Sequence, residues 1–360
     1  MSPDLSEDIR AAVRATFIRH DPREHGSGAW EALAQQIGVT GLFVPEALGG
    51  AGLGSSEMAL VAQELGRTAA KTPFLSTAVL ATTVALAAED GPLRADTLSW
   101  LLEGKTVVAV AVAETDGTWH VHQPTTTARE SGAGWTIDGV KQCVVDGAAA
   151  DLYFVFAETS TGAAWFVIDG GAPGVRRTPA DAFDLTRDLA TVTFTDSPAS
   201  ILIGPDRAAE VVWDTARQGL LAVAADQIGV ADRALQLAVE HAKSRSQFGK
   251  VIGSFQAIKH LCADVLLEVE LARAAVDSAA LAGDDARIAL AHLCAARAAI
   301  SATEASIRIH GGIGFTWEHE AHLYLRRARM GAVLFGPLDE YRDAIARSAG
   351  LPGRTSVSPY

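Results

Sequence analysis

Three short segments hold residues whose types and spacing could do chemistry. Arg245, Gln247, Phe248 and Gly249 close a long apolar-periodic stretch. A guanidinium at a helix end could form charge-assisted bonds to a diphosphate, and the glycine could release the chain into a loop. The same arginine could instead neutralise a helix C-terminus, with Phe255 as a core residue. Gly311, Gly312 and Gly314 follow a second such stretch. Glycines there permit positive φ and bring backbone N–H groups close to an anion, or they simply stop a helix. The third feature is Asp226, in the stretch AlaValAlaAlaAspGln at 222–227. An acid among alanines is costly to bury without a partner, so it is either a working carboxylate or half of an interhelical ion pair.

Other chemistries are excluded by spacing and charge. GluHisGluAlaHis at 318–322 sets His319 and His322 three apart with no paired Glu-x-x-His element, so no metal helix is expected. His120 and His122 alternate on a polar β loop and are expected to face solvent. The basic run at 326–329 reads as a solvated face, and Asp339 and Glu340 as first-turn acids of the last helix. Cys143, Cys262 and Cys294 are odd in number and far apart, which suggests neither a disulfide framework nor zinc. The net charge of −13 over 360 residues gives no field for nucleic acid or anionic lipid. The N-terminus has acids where a signal peptide needs bases, and no apolar run reaches membrane-spanning length, so a cytoplasmic location is expected.

The elements that must position these residues follow from periodicity. Apolar spacings of three and four predict helices at 5–17, 29–36, 57–65 and 75–88. From Val107 the texture changes to short β-branched or aromatic runs at 107–113, 135–137, 152–157, 164–168 and 190–194, the pattern of a small antiparallel β domain. Helical periodicity returns at 208–245, 255–281, 286–310, 321–334 and 338–346, with alanine-rich faces that suit a tightly packed up-and-down bundle. The expected fold is therefore α+β and mostly α. It comprises a helical domain over 1–105, a β domain over 106–203, a four-helix-type bundle over 204–349 and a mobile tail over 350–360.

That architecture coincides with LysSerArgSerGlnPheGlyLysValIleGlySerPheGlnAlaIle at 243–258 and IleHisGlyGlyIleGlyPheThr at 309–316. The chain resembles the acyl-CoA dehydrogenase family of flavoproteins. PheValProGluAlaLeuGlyGlyAlaGlyLeuGly at 43–54 and GlyTrpThrIleAspGlyValLysGln at 134–142 resemble two further family motifs, in the same order. The resemblance implies FAD as cofactor, held mainly by a neighbouring subunit, with Arg245, Gln247, Phe248, Phe255, Gln256, Arg308, Gly311 and Gly312 as its contacts in this chain. Arg308 stands where the family commonly has Gln. On the flavin-ring side Glu114 matches, but the family's following Pro and Gly-Ser turn are missing, and Val145 stands where a Thr hydroxyl would reach flavin N5.

The family's reaction needs a carboxylate to remove the α-proton of an acyl-CoA while a β-hydride moves to the flavin. At the usual position of that base this chain has Phe335, and at the alternative position on the first bundle helix it has Gly219. Neither accepts a proton. Asp226 follows Gly219 by seven residues, nearly two helical turns along the same face, and is the one displaced candidate. The resemblance thus implies a base-less subunit of a heteromeric acyl-CoA dehydrogenase acting on bulky, steroid- or polyketide-like thioesters. A self-sufficient enzyme using Asp226, or a non-redox CoA-thioester-binding protein, remains as an alternative.

Overall fold

In the computed structural model the described residues are 3–351 except 25, 27, 115, 116, 118, 120–123 and 133. His120, His122 and most of the expected tail lie outside them. The chain forms two compact units, Met1–Val61 with Lys71–Gly219, and Ala62–Ala70 with Leu220–Tyr360.

The first unit opens with α1 (Pro3–Arg19) and α2 (Ala29–Glu31), the latter running on as a π-helix over Ala32–Ile37. Next come α3 (Ser55–Thr68), whose residues from Ala62 on belong to the second unit, a π-helix over Phe74–Ala81, α4 (Thr82–Ala87) and α5 (Pro92–Glu103). The sequence periodicity misses α5, which is started by Pro92 and stopped by Gly104 at φ 66°.

Seven strands follow: β1 (Val108–Ala111), β2 (Thr127–Ser131), β3 (Gly134–Val145), β4 (Leu152–Thr159), β5 (Gly162–Asp169), β6 (Arg176–Pro179) and β7 (Leu189–Ile203). Six follow the order β1-β4-β2-β3-β7-β5, β6 pairs with β7 off that path, and β5 also pairs with β4, so the sheet closes on itself. Most pairings are antiparallel, while β1 lies parallel to β4 in the register Val108↔Leu152. Tyr153, Val155, Phe166, Ile168 and Phe194 fill the interior. Thr77 from the π-helix stitches β1 by exchanging hydrogen bonds with the Val108 N–H and C=O at 3.1 and 3.2 Å.

The long helix α6 (Pro205–Ser244) enters the second unit at Leu220 and leads into a hairpin of β8 (Ser246–Gln247) and β9 (Lys250–Val251), then α7 (Gln256–Ala282), α8 (Asp285–His310), α9 (Ala321–Gly331) and α10 (Leu338–Ser348). The α7–α8 connection is local chemistry. Gly283 at φ 67° ends one helix, and Asp284 caps the next by accepting the Arg287 N–H at 2.9 Å. The end of α3 crosses α6 with backbones in contact. A Cβ on Gly66 would stand 1.9 Å from the Asp226 carbonyl oxygen, and one on Gly229 1.9 Å from that of Gln63. Only glycine permits that approach.

Candidate functional site

The end of the second unit gathers most of the expected contact residues. α6 stops at Ser244, and Arg245 donates its N–H to the His241 carbonyl at 2.8 Å while its own carbonyl accepts the Ile252 N–H at 2.8 Å. Phe248 at φ 52° and Gly249 at φ 75° make the turn between β8 and β9, a tight hairpin that demands left-handed residues at both central positions. Phe255 sits immediately before α7 with its ring edge-on to Phe248 at 6.2 Å, and Lys250 Nζ lies 4.3 Å from the Phe255 ring centre. Gln256 is the first residue of α7 and is exposed. The Arg245 guanidinium is exposed and, among the described residues, has no ion-pair partner.

A small apolar cluster brings the glycine turn to the same end. Ala238 and Ala242 of α6 and Ile309 of α8 are buried together, with Ile252, Ile258, Leu261 and Cys262 packed against them. Ile309 lies between exposed Arg308 and the turn that starts at Gly311. Gly311 has φ 65° and nothing within 4 Å of where its Cβ would be; the space beside Gly312 is equally open. The Gly311 N–H closes α8 on the Ile307 carbonyl. The turn that follows, Gly311–Phe315, is a short 3-10 helix running on directly from α8. This end of the bundle can receive an anion through a free guanidinium and an uncrowded backbone turn.

Asp226 stands elsewhere in this unit and is fully engaged. Arg327 of α9 clamps it with Nε at 3.1 Å from both carboxylate oxygens and Nη2 at 2.6 Å from Oδ1. Arg327 Nη1 donates to the Ala70 carbonyl at 3.1 Å, and its own carbonyl accepts Gln227 Nε2 at 3.2 Å. Both charged side chains are buried. Arg327, in the run expected to be a solvated face, is thus the interior partner of the unexpected acid. Phe335 is buried, its carbonyl accepts the Tyr341 hydroxyl at 2.6 Å, and Gly336 follows at φ 122°. Gly219 is a buried residue of α6.

In the first unit Glu114 and Lys141, each in a stretch that resembles the family, form an ion pair that motif reading did not join. Lys141 Nζ is fully buried and donates to Glu114 Oε1 at 2.9 Å and to the Val112 carbonyl at 3.0 Å. The Glu114 carboxylate also accepts the N–H groups of Thr125 and Thr126 and the Thr125 hydroxyl. Burial opposes its ionisation, but the Lys141 charge and these hydrogen bonds hold the carboxyl down at about 2. Burial in turn draws Lys141 down to about 8 against the pull of Glu114. The pair ties the two ends of the segment 114–125 together. A signal for it exists in the sequence, since Lys141 falls four residues after core Ile137 on an alternating strand. Beyond it the strand bulges at Cys143, φ 52°, and Val145 is buried.

Among the described residues no group of three or more His, Cys, Asp or Glu side chains could hold a metal ion, and no helix is long and apolar enough to cross a membrane.

Profiles described as acyl-CoA dehydrogenase N-terminal, middle and C-terminal domains match residues 6–91, 109–196 and 210–350. Acyl-CoA dehydrogenase IpdE2 of Mycobacterium tuberculosis is 35% identical over 337 residues, covering 94% of this chain and 90% of that one. The ChsE4–ChsE5 complex from Mycobacterium tuberculosis contains a chain 26% identical with a TM-score of 0.85, over 97% of this chain and 98% of that one. A variant of the Tcur3481–Tcur3483 steroid ACAD matches at 26% identity and TM-score 0.83, over 96% and 98% of the two chains.

Proposed function

This chain belongs to the acyl-CoA dehydrogenase family, and from that premise we propose that it is the base-less subunit of a heteromeric, FAD-dependent acyl-CoA dehydrogenase. The observation that carries the reading is the Asp226–Arg327 clamp. With Phe335 and Gly219 at the family's two base positions, Asp226 is the remaining candidate, and both its oxygens already receive the guanidinium. Both oxygens are thus committed to a buried guanidinium rather than presented to a ligand.

The cofactor reading rests on the opposite end of α6. An exposed guanidinium without an ion-pair partner among the described residues, beside a glycine turn with open space, suits a diphosphate. Arg245 and Arg308 would neutralise it, Gln247 and Gln256 would hydrogen-bond the nucleotide, and Phe248 and Phe255 would offer ring faces. When bound, the flavin supplies the acceptor for the substrate's hydride. Within this chain, the Lys141-paired Glu114 carboxylate also holds Thr125 and Thr126, and the resemblance sets Glu114 on the flavin-ring side.

A partner subunit is supported by two further facts. Similar solved chains include ones from complexes named for two different proteins, ChsE4–ChsE5 and Tcur3481–Tcur3483. The second unit also leaves large apolar side chains in solvent: Phe248, Leu267, Leu271, Phe315 and Trp317 are each at least 61% exposed. The steroid label on one of these relatives makes a bulky polycyclic acyl-CoA the substrate class to try first.

The deciding experiment compares the isolated chain with the chain co-purified with a sibling subunit that carries its own Glu. Oxidised-flavin absorbance and acyl-CoA-dependent dye reduction are measured in each. The expected result is flavin and turnover only in the pair, unaffected by Asp226→Glu, which retains the carboxylate while moving it. Full turnover by the isolated chain, lost in that variant with flavin still bound, would overturn the base-less reading.

A further inference from the structure

Three imidazoles meet at the end of the bundle that carries Arg245 and Gly311, and nothing in the proposed reaction uses them. His310, the last residue of α8, is 7% exposed. Its ring lies 4.4 Å from that of His241 on α6 and 4.2 Å from that of His319, in the turn before α9, at tilts of 36° and 46°. The central ring has a defined tautomer, because Nδ1 lies 2.7 Å from the Ser306 carbonyl, which can only accept. His319 Nδ1 accepts the Ala321 N–H at 3.1 Å, so its neutral form carries the proton on Nε2.

The stack is continuous with both halves of the anion-receiving end. His241 lies four residues before Arg245, one helical turn along the same face, and His310 directly precedes Gly311. Charged and titratable neighbours come from each element packed against it. Arg245 stands at the end of α6, and around His319 lie Glu320, Arg233 and His322. Glu320 is itself paired with Arg233 at 2.8 Å. Burial, then the charges of His310, Arg245 and His319, push His241 below its ordinary value. Burial and His310 push His319 the same way, with Glu320 opposing. His241 and His319 therefore favour neutrality in the free protein, and the Arg245 charge beside His241 is one reason. An anion on Arg245 cancels that charge and adds a negative one beside the rings.

We propose that His241 or His319, the outer rings stacked on His310, takes up a proton when a diphosphate-bearing ligand occupies Arg245 and the Gly311 turn, so that this affinity rises as pH falls. The proposal rests on the cofactor reading of those residues. It gives the bundle end a proton-coupled anion site, with the stack acting through Arg245 and the turn.

The test uses FAD as probe on the assembled oligomer. Affinity is measured from pH 8 to pH 6, and protons taken up per flavin are read by calorimetry in two buffers of different ionisation enthalpy. One linked proton corresponds to up to about tenfold in affinity per pH unit. The wild type should gain about tenfold across the range, whereas His241→Gln/His319→Gln, which retains buried His310, should change less than about twofold. NMR of the wild-type histidine rings reads the same event without a variant, as a rise in the apparent pKa of His241 or His319 on binding. Flat affinity, a slope that survives in the double variant, or histidine titrations unmoved by FAD would overturn the coupling and leave the cofactor reading intact. No FAD binding at any pH would remove both.

Discussion

Asp226 and Arg245 belong to the same long helix and its exit, yet the fold treats their charges in opposite ways. Asp226 is buried and clamped by an equally buried Arg327, while Arg245 projects into solvent with no ion-pair partner among the described residues. The comparison teaches that a charge in an unusual sequence context marks importance without naming its kind. The acid among alanines is consumed by packing, and the arginine at an ordinary helix end is the one left available for a ligand. The Lys141–Glu114 pair is of the first sort, its charges mutually engaged.

The largest effect should come from breaking the clamp. Asp226→Asn leaves Arg327 buried without its counter-ion and should destabilise the chain by about 3–5 kcal/mol, read as a lower urea midpoint. Asp226→Leu/Arg327→Met should recover most of that loss. If Asp226→Asn left stability unchanged, the distinction between consumed and available charge would fail.

The next effect is pH-dependent and also internal to the bundle. His292 is fully buried, its ring edge-on to Tyr341 at 5.1 Å, and burial drives it down to about 4 against the influence of the Ala332 backbone. A histidine depressed in the folded state destabilises the fold once the unfolded chain can bind its proton. Stability should therefore fall as pH drops below about 6.5 and level off below about 4, by about 3 kcal/mol in all. His292→Gln should flatten that limb of the stability profile, and an unchanged acid limb would refute the assignment.

Arg245→Ala sharpens the comparison from the other side. Stability should move by less than about 0.5 kcal/mol, because nothing packs on the lost charge. Flavin retention in the assembled oligomer should fall about 10- to 100-fold, the worth of a charge-assisted hydrogen bond. Unaltered flavin content would remove Arg245 from the site. Gly311→Ala tests the turn itself. Its Cβ meets open space, yet φ 65° with ψ −139° is backbone that essentially only glycine adopts, so the cost is that strain, about 1–3 kcal/mol by thermal unfolding.

What the sequence determined by itself is whatever short-range patterns encode. Apolar periods of three to four or two separate the helical from the β segments, and Gly283 with Asp284 specify a helix stop and cap within three residues. Four ordered motifs identify the family, and they place Arg245 at a helix exit and Gly311 in a turn. Strands β2 and β6 escaped this reading because their polar residues show no apolar alternation; they are held by hydrogen-bonded neighbours distant in sequence. Tertiary structure alone decided which charges are available. Asp226 meets Arg327 across 101 residues, Glu114 meets Lys141 across 27, and His241, His310 and His319 become neighbours only when the ends of α6 and α8 pack on Ile309. Burial and long-range pairing set the chemistry of an ionisable group, and neither is a property of its immediate neighbours in the chain.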